Sequence, residues 1–235
     1  MSGRNYLEFP FGVLTLAGGL GPVIIASLLT HLGFWDDDLD PSPQHFLKRV
    51  FNTNTLSIDW YFKIIGLILF LRLAPLLLQG TVAAGHLLDI APVTFILIGV
   101  VFGGMEEVGW RGYAQESLQR RIPVLSASLI IGMFWAAWHL PLFYLEGSYQ
   151  YNLGVGTPDF WSFNAAIFIG SVIYGWLYNA SGGVAFAPVI FHALGNLSGE
   201  VFLDASPAVS VGLEALVVLV LVASSWNWMS RTIKP

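Results

Sequence analysis

The run PVTFILIGVVFGGM, Pro92 to Met105, ends in Glu106-Glu107-Val108-Gly109-Trp110-Arg111. Fourteen apolar residues are too few to cross a bilayer, and two carboxylates with an arginine continue the same helical pattern to about Arg121. A charge at bilayer depth costs a few kcal/mol or more, so a charged group there needs a purpose or a partner. The groups elsewhere in the chain that can meet Glu106 are His139, His192 and Asn196. The plain alternative is a structural ion pair between helices.

The rest of the chain agrees with a membrane solvent. Of its 235 residues 55% are hydrophobic and 11% charged, and the mean hydropathy is +0.68. That composition, laid out in runs of membrane length, predicts an all-α, polytopic transmembrane helical bundle of about seven spans. One integral-membrane domain over 1–235 accounts for the whole length. The net charge of −5 offers no basic patch for nucleic acid. With no cysteine there is no disulfide, thiolate metal site or cysteine nucleophile.

The spans read as Phe9 to Thr30, Trp60 to Gln79, Pro92 to about Arg121, Val124 to Leu145, Phe160 to Asn179, Val184 to Gly199 and Ala208 to Met229. The first is read as a retained helix rather than a cleaved leader. Ala17 and Gly21, followed by Pro22, predict a close helix contact there. Ser42-Pro43 is a helix start, with Ser at the N-cap and Pro at N1. The helix after it places Phe46, Leu47, Val50 and Phe51 on one face, the pattern of an amphipathic helix at the membrane surface. Arg72 lies inside the second span and is expected to face another helix. Basic residues in the 31–59 loop, in 111–121 and at the C-terminus put those three segments in the cytoplasm and the N-terminus outside; Arg4 is the exception. No internal repeat of the transporter kind is visible.

The polar groups have a geometry of their own. If the third and fourth spans form a hairpin turning at Ile122-Pro123, Glu106 lies 16 residues before the turn and His139 16 after it. Both then stand roughly 24 Å above the turn, at one depth. Glu107 and Arg111 are spaced i,i+4 with the acid first, the favourable order for a helical ion pair. Glu106 is rotated by about 100° from Glu107, so it is left to act as a base. Such a base is expected within hydrogen-bonding or one-water reach of His139, with Glu107 turned away toward Arg111. His192 and Asn196 are also i,i+4 and share a helix face. A base, histidines and an amide donor are what hydrolysis of a peptide bond requires. No H-E-x-x-H helix and no G-x-S-x-G elbow is present.

At these residues the chain resembles the type II CAAX prenyl endopeptidases, a family that also takes in bacterial Abi proteins of bacteriocin processing and self-immunity. The E-E-x-x-x-R motif is met by Glu106, Glu107 and Arg111, and H-x-x-x-N by His192 and Asn196. In F-x-x-x-H, His139 fits, but Trp135 stands where the motif has phenylalanine. The similarity covers about Pro92 to Gly199, a catalytic core over 92–199. It implies proteolysis within the membrane, with Glu106 and His139 activating water, His192 and Asn196 stabilising the oxyanion, and Glu107 and Arg111 in support. It leaves the cofactor open between a metal-free site and a divalent ion such as zinc on Glu106, His139 and His192.

The reading that follows is an intramembrane endopeptidase in a prokaryotic cell membrane. It cuts near the C-terminus of a membrane-associated substrate, CAAX-like or bacteriocin-like. Two other classes compete: a proton- or ion-coupled transporter that uses Glu106 and the histidines as a relay, and a non-catalytic self-immunity scaffold. The missing repeat weighs against the first, and the intact set Glu106, His139, His192 and Asn196 against the second.

Overall fold

The apolar runs are helices. The computed structural model describes residues 11–34, 43–53, 56–81, 93, 96–202 and 205–233. Arg4, the Ser42 cap, the Pro92 start and Lys234 lie outside them. Among the described residues there is no strand. The order is α1 (Phe11–His31), α2 (Pro43–Val50), α3 (Ile58–Leu78), a composite helix α4 over 97–119, α5 (Val124–His139), α6 (Tyr149–Leu153), α7 (Pro158–Ala180), α8 (Phe186–Val201) and α9 (Pro207–Met229).

Four helical stretches are long and apolar enough to cross a membrane: α3, Val124–Tyr144, α7 and α9. A shorter apolar stretch, Ala17–His31, lies in α1. The protein is an all-α polytopic membrane bundle. The ends follow from local chemistry. Thr157 caps α7, its hydroxyl accepting the Phe160 N–H at 3.1 Å, and Pro158 follows at the first position, where its missing N–H costs nothing. The α7–α8 turn needs positive φ at both Gly182 and Gly183, a conformation that side chains with a Cβ rarely adopt.

Two spans depart from the expected form. The α-helical part of α5 stops at His139 instead of running to Leu145, and a 3₁₀ turn, Leu140–Tyr144, carries the rod on. Pro141 offers no N–H to the carbonyl of Ala137, and that carbonyl instead takes the N–H of Leu140, three residues on. The second departure is α4. It winds as a π-helix over Leu97–Gly104, as α over Glu106–Gly109, as π over Trp110–Gln115 and as α over Glu116–Gln119. Widened turns of this kind cluster at functional sites, and here they flank both carboxylates.

α4 sits at the centre, against α1 on one side and α8 on the other, with α5 joining it through the hairpin and packing along α7. Where α1 crosses it, a Cβ on Gly109 would overlap the carbonyl of Pro22, so the approach requires glycine. The sequence predicts a close contact around Ala17, Gly21 and Pro22; Pro22 makes it with Gly109, while Gly21 lies against the Trp138 ring and Ala17 is exposed. A core cluster joins Val23 and Ala26 of α1, Val108 of α4, and Val189 of α8. Phe46 and Val50 of α2 belong to the same cluster and are almost wholly buried. The apolar face of α2 thus packs on protein rather than into the lipid surface. Arg49 ties it down, donating to Glu116 at 2.9 Å, and Glu116 also accepts from Arg120 and Tyr178, each at 3.0 Å. On the other flank, Ile64 and Ile68 of α3 pack with Ile173 and Leu177 of α7 and Phe191 of α8. There Arg72 faces α8 as expected, donating to Ser198 Oγ at 3.0 Å and to the carbonyl of Gly195 at 2.9 Å.

Candidate active site

The adjacent carboxylates of α4 have separate environments. Glu107 is fully buried, and both its oxygens are engaged. Oε2 accepts from Arg111 Nη1 at 2.8 Å, one turn on, as the i,i+4 spacing predicts. Oε1 lies 2.8 Å from Nδ1 of His192. Glu107 therefore does not turn wholly away from the site: it is the strut between Arg111 and His192. Spacing within one helix finds Arg111 but carries no information about His192, 85 residues away.

Arg111 is also fully buried. Its Nη2 donates to Ser171 Oγ at 2.8 Å, and that hydroxyl donates onward to the carbonyl of Ser128 at 2.7 Å. The guanidinium carbon stands 4.8 Å from the Trp135 ring centroid and 4.6 Å from that of Tyr174. Two aromatic faces, a carboxylate and a hydroxyl together replace water around this cation. Four helices, α4, α5, α7 and α8, are joined through this one cluster.

Glu106 faces α5. It is 5% exposed, and Oε2 accepts from Trp135 Nε1 at 2.7 Å. Among the described residues its other oxygen has no protein donor. The carboxylate meets Trp135, one turn before His139, and no direct hydrogen bond joins Glu106 to His139 among these residues. The hairpin count assumed α-helical rise throughout. The π turn at Trp110–Gln115 has more residues per turn and less rise, which draws Glu106 toward the hairpin turn.

His139 is half-buried, its ring 6.0 Å from Trp135 and 5.6 Å from Phe163. Its Nδ1 lies 2.8 Å from the Trp135 carbonyl. A carbonyl only accepts, so Nδ1 carries the proton, and Nε2 of the neutral ring is a free acceptor. The same reasoning applies to His192, whose Nδ1 faces a carboxylate. The His192 ring lies 5.3 Å from Trp135 and 5.5 Å from Tyr174. Asn196 shares its face. A Cβ on Gly103 would stand 2.7 Å from Asn196 Nδ2 and 3.0 Å from His192 Cδ2, so both side chains press on the first π segment of α4.

Glu106, His139 and His192 thus converge on Trp135. Among the described residues, no group of three His, Cys, Asp or Glu side chains is arranged to hold a metal ion. The expected trio does not fit a metal as placed, and no step below is routed through one.

Comparison with known proteins agrees with the motifs. The family model described as type II CAAX prenyl endopeptidase Rce1-like matches residues 89–198. CAAX prenyl protease 2 of Methanococcus maripaludis is 29% identical, over 80% of this chain and 72% of its own. Both comparisons support the type II CAAX prenyl endopeptidase family for this chain.

They likewise support an intramembrane endopeptidase of CAAX type. Three features of this endopeptidase were not found from sequence. Trp135 is one of them, since a tryptophan one turn before a histidine reads as a wall of the site, not as a donor to a carboxylate. Ser171 is the second: a lone serine in an apolar span signals little until a buried arginine is known to face it. Glu214 of α9 is the third. Its side chain packs against Gly170, next to Ser171, so closely that a Cβ there would overlap Oε1. A carboxylate inside an apolar span was the available signal for it.

Proposed function

We propose that the protein hydrolyses a peptide bond near the C-terminus of a membrane-associated protein or peptide, within a prokaryotic membrane, by a metal-free water mechanism. Glu106 is the base. Its donor-free oxygen takes a proton from the water, and Nε2 of His139 is the second acceptor at that position. The water oxygen attacks the carbonyl carbon, the C=O electrons move to the oxygen, and the proton taken up passes to the leaving amine as the C–N bond breaks. His192 and Asn196 face the developing oxyanion. Asn196 offers its amide N–H as it stands. His192 offers Nε2–H when doubly protonated, with Nδ1–H still on Glu107, whose charge then offsets that of the imidazolium.

One observation supports this division most. Of two adjacent carboxylates, Glu107 spends both oxygens on Arg111 and His192, and Glu106 keeps one oxygen without a protein donor among the described residues. A purely structural ion pair needs Glu107 and Arg111 but gives no reason for Glu106, His139 and Asn196 to gather beside them. The test is cleavage of a lipid-anchored peptide ending in a CAAX-like sequence, in proteoliposomes, by wild type and Glu106→Ala. Turnover by the wild type alone is expected. Equal turnover by the variant would remove Glu106 from the chemistry. Peptides of membrane fractions from cells carrying each form, compared by mass spectrometry, would show the native substrate.

A further inference from the structure

Trp135 meets Glu106, His139, His192 and Arg111. Its indole N–H holds Glu106 Oε2 at 2.7 Å, and its carbonyl accepts from His139 Nδ1 at 2.8 Å. Its ring stands edge-on to His192 at 5.3 Å and under the Arg111 guanidinium at 4.8 Å. It is 4% exposed, so it competes with little water for these partners. The motif this chain resembles has phenylalanine at the position, and a phenyl ring has no N–H to give.

We propose that Trp135 is a positioning residue for the hydrolysis, its indole N–H fixing one oxygen of Glu106 so that the other meets the attacking water. The inference rests on Glu106 being the base. Carboxylates rotate easily about the terminal bond, and each degree of misplacement of a base costs rate. A single donor on Oε2 sets the plane of the group and settles which oxygen is free. The same residue holds the ring of His139 through its main-chain carbonyl, so the base and its partner are referred to one residue, the first through the indole and the second through the backbone. That side chain is clamped in turn, with Tyr174 at 5.2 Å edge-to-face and Arg111 on its ring. Without the donor, a nearly buried carboxylate oxygen is left without a protein partner.

The test pairs Trp135→Phe with Glu106→Ala in the proteoliposome assay. Trp135→Phe retains an aromatic ring for Arg111, Tyr174 and His192 and keeps the carbonyl for His139, so it deletes the N–H with the least loss of ring among the natural side chains that lack a donor. A fall in kcat of at least about tenfold with KM unchanged is expected, because the lost bond acts on the base and not on substrate binding. Unchanged kcat in Trp135→Phe, with Glu106→Ala inactive, overturns the positioning role and leaves the base intact. Activity in Glu106→Ala overturns the base itself. A second readout needs no folded Trp135 variant. In a ¹⁵N–¹H spectrum of the nine indoles of the detergent-solubilised protein, Glu106→Ala should move one resonance strongly upfield. No such movement would show that the bond is not formed.

Discussion

His192 Nδ1 and Glu107 Oε1 meet at 2.8 Å between two helices whose residues lie 85 apart in sequence. The same carboxylate holds Arg111 at 2.8 Å, so Glu107 is in contact with two buried basic groups. Removing one partner from a buried ion pair costs about 3–5 kcal/mol, because the other charge stays behind without compensation. Glu106 has a neutral indole as its partner and leaves no cation exposed to apolar surroundings. Glu107→Ala is therefore expected to lower the melting temperature in detergent well below that of Glu106→Ala, which should stay near wild type. The opposite ranking would undo the assignment of the two acids.

Gly103 has a narrower role. The first π segment brings its Cα against the face of α8 that carries His192 and Asn196, and an added methyl would sit 2.7 Å from the Asn196 amide nitrogen. Those two side chains must shift, and both are oxyanion groups in the mechanism above. Gly103→Ala is expected to reduce kcat by roughly 10²-fold, the scale of losing one oxyanion donor. Gly66→Ala on α3, where nothing lies within 4 Å, should leave kcat unchanged and serves as the control. Equal activity of the two variants would show that Asn196 has freedom to spare.

Much of this arrangement is present in local spacing, and the rest depends on contacts that spacing cannot carry. Glu107 with Arg111, and His192 with Asn196, are one turn apart in any helix, so sequence alone places them. The π turns of α4 leave no comparable trace. They change which residue faces α5, and so Trp135, not His139, takes the carboxylate. The face of α2 shows the same limit from another side. Phe46 and Val50 give an amphipathic pattern that suits lipid and protein equally, and only Val108, Val189 and the other residues they meet decide between the two.

Arg72 supports the site from behind. Its two donors reach Ser198 Oγ and the carbonyl of Gly195, the residues on either side of the turn that presents Asn196. A lysine has one ammonium in place of the guanidinium fork and cannot make both bonds in the same plane. Arg72→Lys is expected to retain most of the stability but to lower kcat several-fold through a looser Asn196. Hydrogen exchange should show faster opening of the α8 amides near 195–198. Unchanged exchange there, whatever the activity, would show that Arg72 anchors the bundle without bearing on Asn196.

The last expectation concerns metal. Glu106 has one oxygen on the Trp135 indole, His192 and His139 each have Nδ1 engaged, and the three do not assemble as a ligand set among the described residues. A bound ion would be linked to the state of its ligands, and its removal would lower both activity and stability. The metal-free reading predicts that exhaustive chelation followed by gel filtration leaves turnover and melting temperature unchanged, with no stoichiometric transition metal by elemental analysis beforehand. Loss of activity on chelation, restored by zinc and not by magnesium, would instead require Glu106 to leave Trp135 and close on the two Nε2 atoms. In that event Trp135→Phe should raise zinc affinity, since it frees the second oxygen of the carboxylate. In the metal-free case the same substitution leaves zinc binding undetectable and only slows hydrolysis, so a titration of both proteins with zinc separates the two mechanisms.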